Sequence, residues 1–188
     1  PAIKNGKVVD TSMGFTPLEG MIMGTRCGII DANIVPYIMK KEGLTPDEMT
    51  DILNKKSGFI GLSGKSSDMR DVVGFAEGGD ERAQLVVDKL VLDITKLESG
   101  EAAYIAELGG VDLIVFTAGI AENNPWLRED VCKNFEWMGI KIDKEVNDRT
   151  RDAAIISAAD STAKVALIPT DEELMIARDT MRLTKDLK

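Results

Sequence analysis

The chain has 188 residues, of which 44% are hydrophobic and 29% are charged, a balance that is typical of soluble globular proteins and excludes wholesale disorder. Its formal net charge of −9 argues against binding to nucleic acid or to an anionic membrane, because the summed field repels phosphate. Two cysteines and no histidine exclude a disulfide framework, histidine triads and histidine-bound zinc, and they favour the reducing cytoplasm.

The chain opens with the pattern of a β-hairpin. Asn5-Gly6 supplies the positive φ angles of a tight turn, and Ile3 and Val8 flank it. A chain that opens partway through a hairpin is expected to be a fragment that lacks a preceding segment. Residues 10–31 are rich in glycine and predict a structured loop.

Mostly helical patterns follow the loop. Each is bounded by capping residues, glycine or a polar turn. In chain order they predict a helix capped by Asp31 that stops at Gly43, a helix opened by a capping box between Thr45 and Glu48, a loop over residues 57–71, and a long helix over residues 81–108 that breaks or kinks at Ser99-Gly100.

Strands and helices alternate in the second part of the chain, which predicts an α/β architecture. The predicted elements are a buried strand over residues 111–116, a turn through residues 117–119, a helix that begins at Asn124-Pro125 and ends at Gly139, strands over residues 153–158 and 164–170, and a final helix capped by Thr170.

Gly64-Lys65-Ser66 is similar to the end of a phosphate-binding P-loop. The motif needs a further glycine where this chain has Phe59, and no strand leads into it. We therefore interpret the segment as a surface loop.

The end of the predicted strand at Phe116 is a candidate ligand site. Ligands of open α/β sheets bind beyond the carboxyl ends of strands, and Gly119 would let a ligand approach the backbone. Glu122 and Asn123 offer polar contacts there. An ordinary strand-to-helix turn explains the same residues equally well.

Acidic residues cluster at the start of the final helix. A capping box explains Thr170 and Glu173 and leaves Asp171 and Glu172 over. Their carboxylates could favour the helix dipole, or one of them could bind Mg²⁺.

Two arginines are further candidates. Arg26 stands in the glycine-rich loop, where its planar guanidinium could bind a phosphate or a carboxylate, and a solvated or salt-bridged arginine is the alternative. Asp68 and Arg70 lie at a helix start, where a local ion pair is the simpler interpretation.

Four segments, taken in order, resemble the acetate kinase family. They are residues 10–28 (DTSMGFTPLEGMIMGTRCG), 54–71 (NKKSGFIGLSGKSSDMRD), 115–123 (VFTAGIAEN) and 168–180 (IPTDEELMIARDT).

The resemblance implies an α/β fold, namely a ribonuclease-H-like lobe of the actin-like ATPase and acetate and sugar kinase superfamily. Residues 1–188 would form the single C-terminal lobe of a two-lobe kinase whose N-terminal lobe is absent. It also implies reversible phosphoryl transfer from ATP to acetate, giving acetyl phosphate and ADP, with Mg²⁺ (or Mn²⁺), in a cytoplasmic homodimer.

The resemblance also implies residue roles. Arg26 matches the arginine that stabilises the transferring phosphoryl group. Pro17 matches a wall of the acyl pocket, and Glu172 matches the magnesium-site glutamate. The nucleotide-contacting segments match Asp68, Met69, Arg70, Gly119, Ile120, Ala121, Glu122 and Asn123.

The chain departs from the family pattern at two positions. Ala121 stands where the family usually has glycine, which adds a methyl group close to the nucleotide backbone. Asp171 stands where the family usually has asparagine, which adds a negative charge beside Glu172. The family's catalytic histidine and glycine-rich phosphate loop would precede Pro1. Acyl chain length is left open, so a propionate or butyrate kinase is an alternative, as is a non-catalytic nucleotide-binding or dimerisation module.

Overall fold

The computed structural model describes residues 1–185, with the backbone alone over residues 98–108. The fold is α/β, and the chain divides into two compact units, Pro1–Gly110 and Val111–Lys188. Among the described residues, no helix combines the length and the apolar character needed to cross a bilayer.

The first unit opens with the predicted hairpin. Strands β1 (Ala2–Lys4) and β2 (Lys7–Asp10) pair antiparallel. Asn5 and Gly6 join them with φ angles of 51° and 74°, the left-handed conformation that a tight hairpin turn requires. The hairpin prediction is therefore confirmed.

Five helices follow in the described part of this unit, after a loop without regular structure over residues 11–33. Gly43 ends the first in the left-handed conformation, and the capping box of Thr45 and Glu48 opens the second, both as predicted. The helices are α1 (Ile34–Glu42), α2 (Pro46–Lys55), α3 (Gly58–Ser63), α4 (Met69–Glu77) and α5 (Glu81–Leu108).

Three predictions for this unit are wrong. Asn33, not Asp31, precedes α1, because the Asp31 carboxylate accepts a hydrogen bond from the Asn33 amide in a preceding turn. The loop predicted over residues 57–71 contains α3, whose amides bond to the loop before α1. Helix α5 runs through Ser99-Gly100 without the predicted break, since one glycine costs a long helix only about 1 kcal/mol; a kink there stays a prediction.

The core of the first unit gathers on α5. Ala83, Val86 and Leu90 are fully buried on one face at helical spacing, as predicted. Helices α3 and α4 pack against this face and bury Phe59 and Val72.

The second unit is built on a three-stranded sheet in the order β3-β5-β4. Strand β3 (Leu113–Phe116) runs parallel to β5 (Lys164–Leu167), and β4 (Ala154–Ile155) pairs antiparallel with β5. The prediction that the first strand is buried is wrong. Leu113 and Val115 are each 44% exposed because β3 is an edge strand covered on one face, whereas the central β5 is buried on both faces.

The helices of this unit also differ from the prediction in places. The turn predicted after Phe116 is a short helix, and the helix that begins at Pro125 ends at Lys133 rather than Gly139, with a 3₁₀ turn over Glu136–Met138 in between. The helices are α6 (Ala118–Asn123), α7 (Pro125–Lys133), α8 (Lys144–Arg149) and α9 (Glu172–Thr184).

Candidate active site

Arg26 lies in the loop before α1, and backbone hydrogen bonds fasten this loop to α2 and α3. Cys27 donates to the carbonyl of Leu53 at 3.0 Å, and Phe59 donates to the carbonyl of Met23 at 2.9 Å. The half-buried Arg26 places Nη1 3.7 Å from Met23 Sδ. Within the described residues it forms no ion pair with a carboxylate, so its charge is available to an anion.

Two glycines allow this close packing. At Gly58, where φ is +62°, a Cβ atom would lie 2.0 Å from the carbonyl oxygen of Met23 and 2.6 Å from that of Arg26. At Gly24, a Cβ atom would lie 2.7 Å from the carbonyl oxygen of Ser67. The Arg26 loop is thus held against both α3 and the residue that precedes the N-cap of α4.

Asp68 is that N-cap. Its Oδ1 accepts a hydrogen bond from the Arg70 amide at 2.9 Å, and its Oδ2 lies 2.5 Å from Arg70 Nη2. Hydrogen bonds from Arg70 lower the pKa of Asp68 to about 2, with the larger contribution from the Arg70 side chain and the smaller from its backbone amide. Met69 between them is buried. The local ion pair is therefore confirmed, and the nucleotide role of these three residues stays a prediction.

The other predicted nucleotide segment, residues 119–123, forms most of α6. This helix follows β3 directly, at the carboxyl end of a parallel strand pair. Ala118 has a φ of 65°, a left-handed conformation that costs a non-glycine residue roughly 1–2 kcal/mol. Such strain collects at functional sites. A Cβ atom at Gly119 would meet only Asn123 Nδ2, 3.9 Å away, so the backbone there is open to a ligand.

Glu122 connects this segment to the start of α9. Its Oε1 accepts hydrogen bonds from the Thr170 amide at 2.8 Å and from the Thr170 hydroxyl at 3.2 Å. The polar residues that follow β3 and β5 are therefore joined, as expected for neighbouring parallel strands. The prediction that Thr170 caps the final helix is wrong, because Glu122 engages both of its polar groups.

Asp171 is the N-cap of α9 instead. Its Oδ1 accepts a hydrogen bond from the Leu174 amide at 2.9 Å, so the predicted capping box between Thr170 and Glu173 does not form. Asp and Asn are equally good N-caps. This explains locally how Asp171 can stand where the resembled family usually has asparagine.

Glu172 is the first residue of α9, and it is exposed. No group of three or more acidic or cysteine side chains is arranged to hold a metal in the part of the chain that the structure describes. Mg²⁺ usually binds one or two carboxylates together with waters and substrate phosphates. A single exposed glutamate at a strand end fits that arrangement, and its metal role stays a prediction.

Sequence reasoning missed Arg128, which is fully buried on α7. Its guanidinium donates hydrogen bonds to the carbonyls of Ala121 and Glu122 and to Asn147. Burial lowers the pKa of this guanidinium from its ordinary value. The available signal was its position three and four residues before the buried Val131 and Cys132, which places a charge on the apolar face of the helix.

The remaining candidates lie in the first unit. Pro17 is exposed in the same loop as Arg26, and its pocket role stays a prediction. Gly64 ends α3 in the left-handed conformation, and Lys65 forms an ion pair with Asp80 and lies 5.0 Å from the ring centroid of Phe75. This lysine is engaged with a carboxylate, which supports the interpretation of the segment as a loop rather than a P-loop.

Comparison with known proteins gives consistent matches. The chain is 53% identical over 184 residues to an acetate kinase of Clostridioides difficile, covering 98% of this chain and 46% of that protein. It is 54% identical over 185 residues to an acetate kinase of Bacteroides thetaiotaomicron, again covering 98% and 46%. The chain thus spans about half the length of the curated relatives it matches.

Solved structures share the fold. The crystal structure of Porphyromonas gingivalis acetate kinase matches with a TM-score of 0.87 and 45% identity over 96% of this chain and 45% of that one. A propionate kinase from Francisella tularensis matches with a TM-score of 0.84 and 38% identity over 94% and 44%. The sequence profile of the acetokinase family matches residues 1–178. These matches confirm the resemblance, and the chain belongs to the acetokinase family.

Proposed function

We propose that the protein carrying this chain is an acetate kinase, which transfers the γ-phosphoryl group of ATP to acetate and gives acetyl phosphate and ADP. Residues 1–188 would be its C-terminal lobe. The observation that carries the proposal is the identity of 53–54% over 98% of the chain to proteins named acetate kinase. The exposed strand-end segments and the Arg26 loop support it.

The chemistry suits the residues present. Acetate is ionised at neutral pH, so its attack on the γ-phosphorus needs no strong base. Catalysis then consists of positioning and of stabilising the charge that spreads over the equatorial phosphoryl oxygens. Arg26, with no carboxylate partner among the described residues, presents a planar guanidinium for that task.

Mg²⁺ belongs to the proposal as the usual companion of ATP, with Mn²⁺ as a substitute, and Glu172 would hold it. When bound, the ion neutralises charge on the β- and γ-phosphates. Glu172→Ala should therefore raise the Mg²⁺ concentration needed for half-maximal activity. An equal requirement in Glu172→Ala and wild type would contradict this assignment.

A propionate kinase is the second candidate, and the match to the Francisella tularensis protein favours it. Pro17 is the one residue of this chain that we assign to the acyl pocket. One methylene group in a hydrophobic pocket changes kcat/KM by about 10–200-fold, so the choice can be measured directly.

The test is an assay of the full-length enzyme with ATP and acetate, propionate or butyrate, in which the acyl phosphate is trapped with hydroxylamine and ADP is measured separately. We expect turnover of about 1–100 per second with acetate. We also expect kcat/KM for acetate to exceed that for propionate by about tenfold or more. ATP binding without any acyl phosphate would favour a non-catalytic nucleotide-binding module.

The proposal extends to assembly and location. We infer a homodimer in the cytoplasm, by analogy with the family. Cys27 and Cys132 are thiols rather than a disulfide, which suits a reducing compartment. Size-exclusion chromatography with light scattering on the full-length enzyme tests the dimer.

A further inference from the structure

Arg128 is a fully buried arginine with no carboxylate ion pair among the described residues. Its charge is met by neutral acceptors instead. Nε donates to Asn147 Oδ1 at 2.7 Å, Nη2 donates to the Asn147 carbonyl at 3.0 Å, and Nη1 donates to the carbonyls of Ala121 at 2.5 Å and Glu122 at 3.1 Å. An apolar side chain would fill this core position without the cost of burying a charge.

Arg128 holds helix α6 in place through two of its backbone carbonyls. Helix α6 has six residues, and a helix this short is not stable in water without tertiary contacts. Ala121 and Glu122 are close to its C-terminal end, where carbonyls lack partners within the helix. Arg128 satisfies both of them and brings a positive charge to the negative end of the helix dipole.

Asn147 fixes the arginine in turn. This side chain is itself fully buried on α8, and its Nδ2 donates to the carbonyl of Pro125 at 2.9 Å. The Arg128–Asn147 pair therefore ties α6 to both α7 and α8. The buried Arg128 and Asn147 therefore hold α6 through its C-terminal carbonyls, whereas Gly119 at its other end is exposed.

We propose that Arg128, supported by Asn147, is a positioning residue for nucleotide binding: it sets the place of residues 119–123, without contacting the nucleotide. The inference rests on the proposed function, which assigns these residues to ATP. It predicts a specific defect in nucleotide affinity, because a displaced α6 alters the nucleotide site and leaves the acetate pocket unchanged.

Arg128→Lys in the full-length enzyme is the test, with Arg149→Lys as the matched control. Lysine keeps the charge, but its single ammonium cannot reach α6 and Asn147 together. Arg149 is an exposed arginine on α8 that pairs with Glu145. We expect Arg128→Lys to raise the KM for ATP and the Kd for ADP about tenfold, the effect of one lost charge-assisted hydrogen bond.

The KM for acetate and kcat at saturating ATP should stay within about twofold, and Arg149→Lys should match wild type in every constant. An unchanged KM for ATP in folded Arg128→Lys would overturn the proposal. So would a parallel rise in the KM values for ATP and acetate, since a merely structural role affects both substrates.

Asn147→Ala decides the matter if Arg128→Lys fails to fold. It removes the acceptor for Nε and leaves Arg128 on the α6 carbonyls, so we expect a smaller rise in the KM for ATP, about threefold. A KM for ATP equal to that of wild type would overturn the proposal. The wild-type assay distinguishes failure of the proposed function from failure of this inference. A wild-type enzyme without turnover contradicts the proposed function. An active wild type with unaffected variants contradicts only the positioning role of Arg128.

Discussion

Arg26 shows how a charged side chain can be kept available for a ligand. Its backbone is fixed by hydrogen bonds from the surrounding loop to α2 and α3. Its guanidinium lies near a methionine sulfur and forms no ion pair with a carboxylate of the described residues. A fixed backbone lowers the entropy that must be lost when the side chain binds an anion. The arrangement suits an arginine that acts on a transferring phosphoryl group.

We therefore predict that Arg26→Lys in the full-length enzyme loses most of its kcat. Arginines in this role contribute about 10³–10⁵ in rate, and lysine cannot offer the same two parallel hydrogen bonds. The KM for ATP should change less than kcat, since the contact strengthens in the transition state. Steady-state kinetics and a melting curve check both points. A kcat within about threefold of wild type, or a protein that no longer folds, would count against the role.

Asp171 gives a second prediction at this scale. Asp171→Ala should remove the N-cap of α9, which contributes about 0.5–2 kcal/mol. In a unit of the size of Val111–Lys188, each lost kcal/mol lowers the melting temperature by roughly 4–8 °C. Differential scanning calorimetry measures the fall in melting temperature of Asp171→Ala.

Asp171→Asn is the control, because asparagine caps as well as aspartate and should leave the melting temperature unchanged. Glu173→Ala should cost less than Asp171→Ala, since Glu173 only favours the helix dipole. A larger loss of stability in Glu173→Ala than in Asp171→Ala would favour the capping box between Thr170 and Glu173 over the Asp171 cap.

At the scale of elements, the loop before α1 depends on close approaches that only glycine allows. Gly58 has a positive φ, and its Cα faces the carbonyls of Met23 and Arg26. Any side chain there must push the loop away from α3. The position of Arg26 therefore depends on a residue 32 positions later in the chain.

Gly58→Ala should destabilise the protein by more than about 1–2 kcal/mol, the cost of the left-handed conformation alone, because the clash adds to it. It should also lower kcat, since the Arg26 loop moves. Gly74→Ala is the matched control: Gly74 lies inside α4, where an added methyl group would meet nothing within 4 Å, so alanine should stabilise that helix by about 0.5–1 kcal/mol. Melting temperatures and kcat of both variants check this. Equal behaviour of the two would contradict it.

At the scale of the whole molecule, both units contain residues to which the resemblance assigns roles. Pro17, Arg26 and the segment at Asp68 belong to the first unit, whereas residues 119–123 and Glu172 belong to the second. The chain contains no histidine, so it cannot itself supply the catalytic histidine that the resemblance implies.

We therefore predict that residues 1–188, purified alone, do not form acetyl phosphate from ATP and acetate. The full-length enzyme assayed in parallel is the control. ADP formation by the isolated chain at about 1–100 per second, a rate typical of kinases, would contradict the prediction.

The amino-acid sequence by itself determined the features that depend on near neighbours in the chain. The Asn5-Gly6 turn, the capping box of Thr45, the stop at Gly43 and the buried face of α5 follow from backbone preference, short-range hydrogen bonds and helical period. The four family segments also identified the family without any tertiary contact.

Only the tertiary structure decided the features that depend on distant partners. Thr170 has the local pattern of a cap, but Glu122, 48 residues earlier, engages its amide and hydroxyl, and the cap passes to Asp171. For Arg128, the helical spacing indicates a charge on an apolar face, but only the structure shows its partners, Asn147 and the α6 carbonyls. The physical reason is the same in both cases: a polar group takes whichever partner the fold brings within about 3 Å, and separation along the chain does not reveal that partner.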